Sequence, residues 1–440
     1  MSAEEYARFV VDGGRLRIRR AWTPASVVLA FALLGCSGPT PSPSLSPAAG
    51  TFAPSQLLPS SPLASAPPAS SSATVAPIVS PTAVGPGSFA ILPATKPAGF
   101  VGDIKCTGSI GESDPVAIVQ LHGPAFTGPV VLRDYANISQ PRTACTLGKA
   151  AFQIVQLVDS RHMVIAGENA SYAVVDLPEV QYHWFQLPVS KDLFAVLISV
   201  SPALDEIAWK VEDPAGTASD AIHLTTIAGD RVVATLPDTN TGRCGDPDVD
   251  SIPGGYTRSG GALFVLDTPI PESSLLVLEG ATVVLSIVPQ AGTPIGSSPL
   301  KALWSPTSET LFFEWGGDTW TWTKAAGRTR YLPGVAWTDA TISPDGAHLA
   351  YAVKRADGLH DVYLVDLAHD GHPVRIGKGA NNLPMFLNST QLWFRPETSG
   401  PGCTGPVPPG PVIYNVTNGT SAPSIIDNVR RIWPATSTIG

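Results

Sequence analysis

The sequence contains a repeating unit of short apolar strands and turns, and its clearest copy lies at 341–377. In this copy the run Ser-Pro-Asp-Gly at 343–346 predicts a turn, because proline presets φ and both Asp and Gly tolerate tight geometry. Apolar or β-branched runs predict strands at 349–353, 362–367 and 374–376. Together they indicate one four-stranded blade of a β-propeller.

Weaker copies of this unit recur along the chain. To locate them, we take as an anchor the turn residue that lies six positions before the first apolar residue of the following strand. The anchors in chain order are Leu157, Ser201, Thr257, Ser305, Ser343 and Phe386. They are spaced 44, 56, 48, 38 and 43 residues apart. A period of about 40–50 residues is typical of propeller blades, because each four-stranded unit must bury its faces against its neighbours.

The two ends of the repeating region are predicted to form one blade together. Residues 116–122, 130–135 and 142–147 supply only three strands, while 430–434 supplies an isolated strand that resembles 301–305. We expect the C-terminal strand to join the other three, since closure removes exposed sheet edges. Six anchored units and one composite predict an all-β, seven-bladed propeller, with six or eight blades left open.

The residues of the clearest copy also resemble a known family. The turn at 343–346, the strand at 349–351 and the strand at 363–367 are similar to the SPDG, LAY and YLVDL elements of the TolB-type, WD-like propeller repeat. The resemblance is specific over 341–377 and loose elsewhere. It implies a propeller that binds another protein or a peptide, and it transfers no partner-binding residue to this chain.

Residues 1–36 are predicted to be a targeting segment. Arginines precede an apolar run at 21–34, which is too short to span a membrane comfortably. The run ends in Leu-Leu-Gly-Cys at 33–36, which resembles the lipobox of bacterial lipoproteins. The resemblance implies lipidation of Cys36 and anchoring to the outer face of the cytoplasmic membrane. Residues 1–14 exceed what a signal needs, so the true start codon stays open.

Residues 37–87 are predicted to be a disordered tether. Ser, Pro, Ala and Thr dominate, and no charged residue lies between Cys36 and Lys96. Such a segment buries too little apolar surface to offset its ordering entropy. A coil of about 50 residues spans roughly 40 Å. A passive spacer is therefore favoured over a glycosylated or partner-binding segment, and residues 88–440 are the predicted folded domain.

Charge argues against nucleic acid as a partner. The chain has 27 basic and 36 acidic residues, and five of the former and three of the latter lie within 1–36. The remainder carries a net charge of about −11 and has no basic tract, which is unfavourable for binding phosphate backbones or anionic lipids. Membrane attachment is expected only through the lipid anchor.

Four cysteines remain besides Cys36: Cys106, Cys145, Cys244 and Cys403. An even number outside the cytoplasm predicts two disulfides rather than free thiols, among three possible connectivities. We favour Cys106–Cys145 as a local staple of the first blade. Cys244 and Cys403 lie in the Gly/Pro-rich loops 238–255 and 396–411, and a bridge would join these loops if they emerge on one face. No CxxC motif supports a zinc or redox role.

Three alternating carboxylates, Asp246, Asp248 and Asp250, could converge on Ca²⁺. The calcium-loop pattern fails, because Ser251 replaces the required Gly and Thr257 stands where the bidentate Glu belongs. A solvated acidic loop is therefore the favoured interpretation, and no metal is predicted.

A histidine cluster surrounds the hairpins of the clearest copy: His360, His369, Asp370 and His372. Metal ligands must converge in space, whereas His369 and His372 occupy a predicted strand-connecting turn. Exposed side chains are favoured over a metal or catalytic role.

Trp320 and Trp322 alternate with threonines at 319–323, so both side chains leave one face of a strand. Packing between blades is favoured, and a platform for stacking sugars or peptides is the alternative.

The chain shows no GxSxG, HExxH, P-loop or dinucleotide motif, so neither an enzyme nor a cofactor is predicted. The favoured function is a lipid-anchored envelope module that binds a protein or peptide, with the loops 238–255 and 396–411 as its expected contact surface. A receptor for carbohydrates or small molecules at the ring mouth is the alternative, and an unrecognised enzyme is a third.

Overall fold

The computed structural model of the chain describes residues 99–100, 102–108, 110–111, 115–121, 128–177, 179–187, 194–212, 220–236, 254–267, 274–288, 301–369, 371–397, 410–424 and 428–433. Strands dominate these residues, which also include a short 3-10 helix, Gly148–Phe152. Within these ranges no helix is both long and apolar enough to cross a membrane. The predicted all-β class is confirmed.

The described strands form seven antiparallel sheets, here called blades 1 to 7. Blade 1 contains β1 (Lys105–Cys106), β2 (Val116–Gln120), β3 (Val130–Asp134) and β4 (Arg142–Thr146). Blade 2 contains β5 (Ile154–Leu157), β6 (His162–Ala166), β7 (Ser171–Asp176) and β8 (Gln181–Gln186). Blade 3 contains β9 (Phe194–Val200), β10 (Glu206–Glu212), β11 (Asp220–Thr226) and β12 (Gly229–Leu236). Blade 4 contains β13 (Gly254–Tyr256), β14 (Leu263–Asp267), β15 (Ser274–Glu279) and β16 (Thr282–Ile287).

The remaining strands complete the set in the same order. Blade 5 contains β17 (Lys301–Trp304), β18 (Leu311–Trp315), β19 (Asp318–Thr323) and β20 (Gly327–Leu332). Blade 6 contains β21 (Trp337–Ile342), β22 (His348–Lys354), β23 (His360–Asp366) and β24 (Val374–Ile376). Blade 7 contains β25 (Ala380–Asn388), β26 (Gln391–Glu397), β27 (Val412–Asn415) and β28 (Thr420–Pro423), and β29 (Asn428–Trp433) returns to blade 1.

The first strand of each blade is the innermost one. Contacts between first strands join β9 to β13, β13 to β17, β17 to β21, β21 to β25, β25 to β29 and β29 to β5. The circle is completed by the Gln156 side chain of β5, whose amide hydrogen-bonds with both the backbone N–H and the C=O of Val200 on β9, at 2.9 and 3.2 Å. The seven first strands therefore enclose a common centre, which confirms the predicted seven-bladed propeller.

The predicted closure by the C-terminal strand is also confirmed. β29 pairs antiparallel with β2, and Ile432 lies opposite Ala117. β29 thus serves as the first strand of blade 1, as its resemblance to 301–305 predicts. A feature that the sequence did not predict is β1, which adds a fifth strand at the outer edge through pairing of Cys106 with Cys145.

Seven apolar cores lie between consecutive blades, one at each interface. Alternate residues of one strand serve the two neighbouring cores: Phe312 of β18 packs towards blade 6, whereas Phe313 packs towards blade 4. Both faces of a blade are therefore buried, and its inner strands are continuous apolar runs instead of alternating ones. Burying one such side chain contributes about 1.5–3 kcal/mol.

A hydroxyl closes the turn between the first and second strands in four blades. The four residues are buried, donate their backbone N–H to a carbonyl five residues later, and accept a backbone N–H of the turn on their side-chain oxygen. They are Ser201, Thr257, Ser305 and Ser343. These positions are four of the predicted anchors, so the sequence period follows this turn.

The predicted anchors Leu157 and Phe386 are displaced from the equivalent turns. In blade 2 the backbone N–H of Val158 donates to a carbonyl only four residues on, and in blade 7 Asn388 pairs with a position three residues on. Shorter turns account for both shifts. The predicted unit 341–377 needs a related correction: Ser343 follows the first strand of blade 6, so this blade begins at Trp337.

The chain enters the propeller across the interface of blades 1 and 2. Phe100 packs edge-on against Trp184 with 4.5 Å between ring centroids. Asp103 accepts backbone N–H groups at the start of the 3-10 helix, including that of Ala150 at 3.0 Å. The predicted disulfide between Cys106 and Cys145 is present and fixes β1 to β4.

The ring has two faces. At the face here called the loop face, the first strand of each blade begins and the second strand ends. At the opposite face, here called the turn face, the first strand ends and the second strand begins. The longest connections between consecutive strands, 237–253, 288–300 and 398–411, all depart from the loop face. Within blades 5 and 6, and from each of them to the next blade, the loop-face connections are short: 316–317, 333–336, 355–359 and 377–379.

Candidate functional site

The turn face is bridged at the centre of the ring. The guanidinium of Arg258, in the turn after β13 of blade 4, lies 5.6 Å from the ring centroid of Trp433 in blade 1. The Trp433 Nε1–H donates to the carbonyl of Val158 at 3.1 Å, which fixes the indole. Blades 4 and 1 lie across the ring from each other, so this contact spans the central opening.

A cleft lies between blades 5 and 6 at the loop-face ends of their first strands. It is lined by residues 301–303 of β17 and 337–340 of β21. Among the described strands β17 pairs with β18 alone, and β21 pairs with β22 alone. Each strand therefore turns an edge without a strand partner towards the ring centre, and such edges can pair with an extended polypeptide.

Glu314 is a buried acid on β18, the strand that pairs with β17. It lies opposite Lys301 on β17 and Thr319 on β19, so the three side chains share one face of blade 5. Only 2% of Glu314 is exposed. Its Oε1 accepts the Gly317 backbone N–H at 3.1 Å, whereas its Oε2 has no partner among the described residues. Burial raises the pKa of Glu314 from 4.5 to about 7; the Gly317 hydrogen bond opposes this shift, and the charge of Asp318 adds to it.

The facing strand of blade 6 supplies a second unpaired group. Trp337 is 4% exposed, and its Nε1–H has no acceptor within the described part of the chain. The Thr319 hydroxyl donates to the carbonyl of Val335, two residues before Trp337, at 3.0 Å. This hydrogen bond holds the face of blade 5 that carries Glu314 and Thr319 against the chain that leads into β21. Lys301 and Asp339 line the same cleft, are partly exposed, and form no ion pair with a described residue.

A further polar cluster joins blades 6 and 7 on the loop face. Glu397 accepts the His360 backbone N–H at 2.7 Å and lies 3.1 Å from His360 Nδ1. Asn382 donates to Glu397 at 2.5 Å, while its buried Oδ1 has no partner among the described residues. Beside this cluster Asp361 forms an ion pair with Arg375 at 2.8 Å. The cluster adds another unpaired acceptor to this sector.

The two predicted tryptophans occupy different environments. Trp322 is 5% exposed in the core between blades 4 and 5, which is the predicted packing role. Trp320 is partly buried, and its Nε1–H donates to the Trp315 carbonyl at 3.1 Å. The guanidinium of Arg328 lies 4.3 Å from the Trp315 ring and 4.9 Å from the Trp320 ring. A ligand-binding role for Trp320 and Trp322 stays a prediction.

Several predicted residues lie outside the described residues: Cys36, Asp246, Asp248, Asp250, Cys244, Cys403 and Asp370. The connections 237–253 and 398–411 both leave from the loop face, which is the condition stated for a Cys244–Cys403 bridge. The pairing itself stays a prediction.

The predicted histidines are not brought together. His360 lies beside Glu397, whereas His369 lies 2.9 Å from Asp366 with 81% of its side chain exposed, and His372 is exposed. Across the described residues no group of three His, Cys, Asp or Glu side chains is arranged to hold a metal ion.

The cleft residues Lys301, Trp337 and Asp339, and Glu314 on the adjacent strand, were not predicted from the sequence. One signal was present, since Glu314 is a charged residue inside the otherwise apolar strand 311–315. Glu314 lies two residues after Phe312, so its side chain is on the same face of β18, which faces blade 6. Only the register and the position of blade 6 place Trp337 and Asp339 beside it.

Comparison with known proteins defines no family for this chain. No protein-family model matches the chain. No curated protein is significantly similar in sequence. A solved prolyl endopeptidase is 11% identical with a TM-score of 0.46, over 72% of this chain and 49% of that chain. TolB from Acinetobacter baumannii is 14% identical with a TM-score of 0.31, over 63% and 67% of the two chains. Dipeptidyl peptidase 4 from Porphyromonas gingivalis is 9% identical with a TM-score of 0.43, over 71% and 50%. This chain spans about half the length of either peptidase.

Proposed function

We propose that the protein is a lipid-anchored binding module of the bacterial cell envelope, and that its loop face captures an extended segment of another envelope protein. The observation that carries the proposal is a group of buried polar atoms without described partners at the loop-face ends of blades 5 to 7: Glu314 Oε2, Trp337 Nε1 and Asn382 Oδ1. Buried polar atoms in folded proteins are nearly always hydrogen-bonded. Three such atoms on neighbouring blades at this face favour a surface that a ligand completes.

The architecture agrees with this proposal. The loop-face connections within blades 5 and 6, and from each of them to the next blade, are short, whereas Arg258 and Trp433 span the opening at the turn face. A propeller holds such a sector rigid, which reduces the ordering entropy that binding costs. Lipidation of Cys36 and the tether at 37–87 would place the ring outside the cytoplasmic membrane.

Site-specific photocrosslinking in intact cells tests the proposal. A photoreactive residue replaces Lys354 or Lys378, which are exposed at the loop face, or Asn418, which is exposed at the turn face. We expect one dominant envelope protein to crosslink from Lys354 and Lys378 and not from Asn418. The Cys36→Ser variant should lose this product, because the domain is no longer held at the membrane.

Equal crosslinking from both faces, or a dominant product from Asn418 alone, would refute the loop face as the binding surface. A product that persists unchanged in Cys36→Ser would refute the anchored mode of binding.

A receptor for carbohydrate is the second candidate. It is favoured by the partly buried pair Trp315 and Trp320 with Arg328 over both rings, because indole faces stack on sugars and a guanidinium binds acidic groups. Loss of sugar binding in Trp320→Ala, with crosslinking from Lys378 unchanged, would support this role.

A further inference from the structure

Arg328, on the outer strand of blade 5, is a cation that two aromatic rings hold in place. Its guanidinium lies 4.3 Å from the centroid of the Trp315 ring and 4.9 Å from that of the Trp320 ring. The side chain is exposed, and it forms no ion pair with a described residue. Because the indole rings restrict the guanidinium and displace part of its hydration, binding an anion costs it less free energy.

Two neighbouring cations are already paired. Arg330, two residues further along the same strand, binds Asp318 at 2.6 Å. Lys324, in the turn before β20, binds Glu279 of blade 4 at 2.5 Å. Arg328 therefore carries the uncompensated charge of these three cations. A carboxylate is the group that a guanidinium binds through two parallel hydrogen bonds.

The outer strand of blade 4, β16, lies across the same interface. The ion pair between Lys324 and Glu279 joins the hairpin that leads into β20 to the hairpin that leads into β16. Val284 and Leu285 of β16 are partly exposed and pack against the same apolar core as the two tryptophans. β16 and the tryptophan pair therefore flank the outer rim of the interface between blades 4 and 5.

β16 is an open sheet edge. Among the described strands it pairs with β15 alone. It contains no charged residue and no proline, whereas β12, β20 and β24 each carry arginine, a charge that discourages pairing with another strand. Thr282, Val283 and Ser286 are exposed along it. Such an edge can accept an extended polypeptide through backbone hydrogen bonds.

The edge needs a side-chain anchor to bind such a segment. The ladder between β15 and β16 shifts register at Val284, so backbone pairing alone would involve few residues. Alternate side chains of a paired segment point towards the two neighbouring blades, and those on the blade 5 side approach the tryptophan pair and Arg328. A sugar acid would supply a carboxylate but no backbone to pair with β16.

We propose that the outer rim between blades 4 and 5 binds an extended polypeptide, which pairs with β16 and places an Asp or Glu side chain against Arg328. The inference goes beyond the proposed function, because it assigns an outer surface of the ring and the charge of the segment bound there. Trp315 and Trp320 orient the guanidinium, and their ligand is then a polypeptide instead of a carbohydrate.

The test measures retention of peptides on the immobilised full-length protein. Pools of acetylated, amidated heptapeptides carry Asp, Glu, Asn, Gln or Lys at the central position and equimolar uncharged residues elsewhere. We expect the Asp and Glu pools to be retained about three- to tenfold more than the Asn and Gln pools, the factor that one charged hydrogen bond supplies at a partly solvated surface. The Lys pool should be retained least. Arg328→Gln should abolish the acidic preference.

Lys354→Gln is the matched control, since it removes the same charge from an exposed position of blade 6. It should leave the acidic preference intact. Arg328→Lys is the second variant, and it serves if Arg328→Gln does not fold, as judged by its thermal melt. It keeps the charge and loses the planar group, so most of the preference should be lost.

Backbone pairing is tested with one retained acidic peptide that is N-methylated at alternate residues, in either of the two phases. Only alternate N–H groups of a strand face a given neighbour in an antiparallel ladder. One phase should therefore abolish retention, and the other should be tolerated.

Equal retention of the acidic and amide pools, an acidic preference that persists in a folded Arg328→Gln protein, or equal effects of the two N-methylation phases would overturn the inference. So would Arg328-dependent retention of a galacturonic acid trimer with no acidic pool retained. Crosslinking from Lys354 and Lys378 that continues while the acidic pools show no preference would leave the proposed function standing and overturn this inference. Crosslinking from Asn418 alone, together with an Arg328-dependent acidic preference, would refute the proposed function and support this inference.

Discussion

Glu314 makes stability depend on pH in a direction opposite to that of a salt-bridged carboxylate. The pKa of this side chain is 4.5 in its ordinary environment and about 7 in the folded protein, chiefly because burial disfavours the charged form. Between these values the folded state keeps a proton that the unfolded state has released. Folding therefore becomes less favourable as the pH rises from 4.5 to 7, and the penalty is fully present above pH 7.

The size of the effect follows from the difference between the two pKa values. One pKa unit corresponds to about 1.4 kcal/mol, so the ionised Glu314 costs the folded protein about 3 kcal/mol at pH 8. Glu314→Gln keeps the shape and a neutral head, and it removes the titration. We expect this variant to match the wild type at pH 4.5 and to be about 3 kcal/mol more stable at pH 8.

Urea denaturation followed by tryptophan fluorescence, at pH values from 4.5 to 8, measures this difference. Glu309→Gln is the matched control, because it replaces an exposed carboxyl of the same blade. The informative quantity is the stability of Glu314→Gln minus that of the wild type at each pH. A difference that does not grow with pH, or that grows equally in Glu309→Gln, would refute the assignment of the buried acid.

Three further predictions concern the fold. Ser343→Ala removes the buried hydroxyl that accepts the backbone N–H of the second strand at 2.9 Å, so we expect a loss of about 1–3 kcal/mol in urea denaturation; Ser308→Ala, at an exposed position, should change little, and equal losses would contradict the role of the turn. Ile432→Ala creates a cavity under the closing strand, where Ile432 is 6% exposed, and should cost about 2–5 kcal/mol; a midpoint equal to that of the wild type would show that β29 does not close the ring. Gly346→Ala forces a side chain into a position with φ +72°, where its Cβ would meet Thr307 Oγ1 of blade 5. It should lower the melting temperature, and Thr307→Ala should recover part of the loss; no recovery would leave backbone strain alone as the cause.

The repeat could be predicted from sequence because the same short turn recurs with a buried hydroxyl. Ser201, Ser305 and Ser343 all end a first strand and bind the backbone of the next one. Local hydrogen bonding of Ser and Thr restricts the backbone wherever such a turn occurs, so the period is visible without a structure. The predicted anchors Leu157 and Phe386 miss the equivalent turn positions because the turns of their blades are shorter. A change in turn length does not alter the apolar pattern of the strand from which each anchor was counted.

Other features of the fold could not be predicted from local sequence patterns. β1 consists of two residues, Lys105 and Cys106, which carry no strand periodicity and pair with β4 only because the chain crosses the edge of blade 1. The sequence also did not determine which of the two neighbouring cores between blades a given apolar side chain enters. Phe312 and Phe313 are adjacent and equally apolar, and only strand register assigns them to opposite faces.

By itself the sequence determined the all-β class, and it favoured seven units, the closing strand and the Cys106–Cys145 pairing over the alternatives, because apolar runs, turn residues and spacing along the chain indicate them. The tertiary structure decided the site. Lys301, Glu314 and Trp337 lie up to 36 residues apart in the numbering and share no motif. Lys301 and Trp337 line one cleft because the first strands of blades 5 and 6 lie side by side around the ring, and Glu314 lies opposite Lys301 on the next strand. A hydrogen-bonding cleft made by two blades depends on how those blades pack together, and that packing is a non-local property that no window of sequence contains.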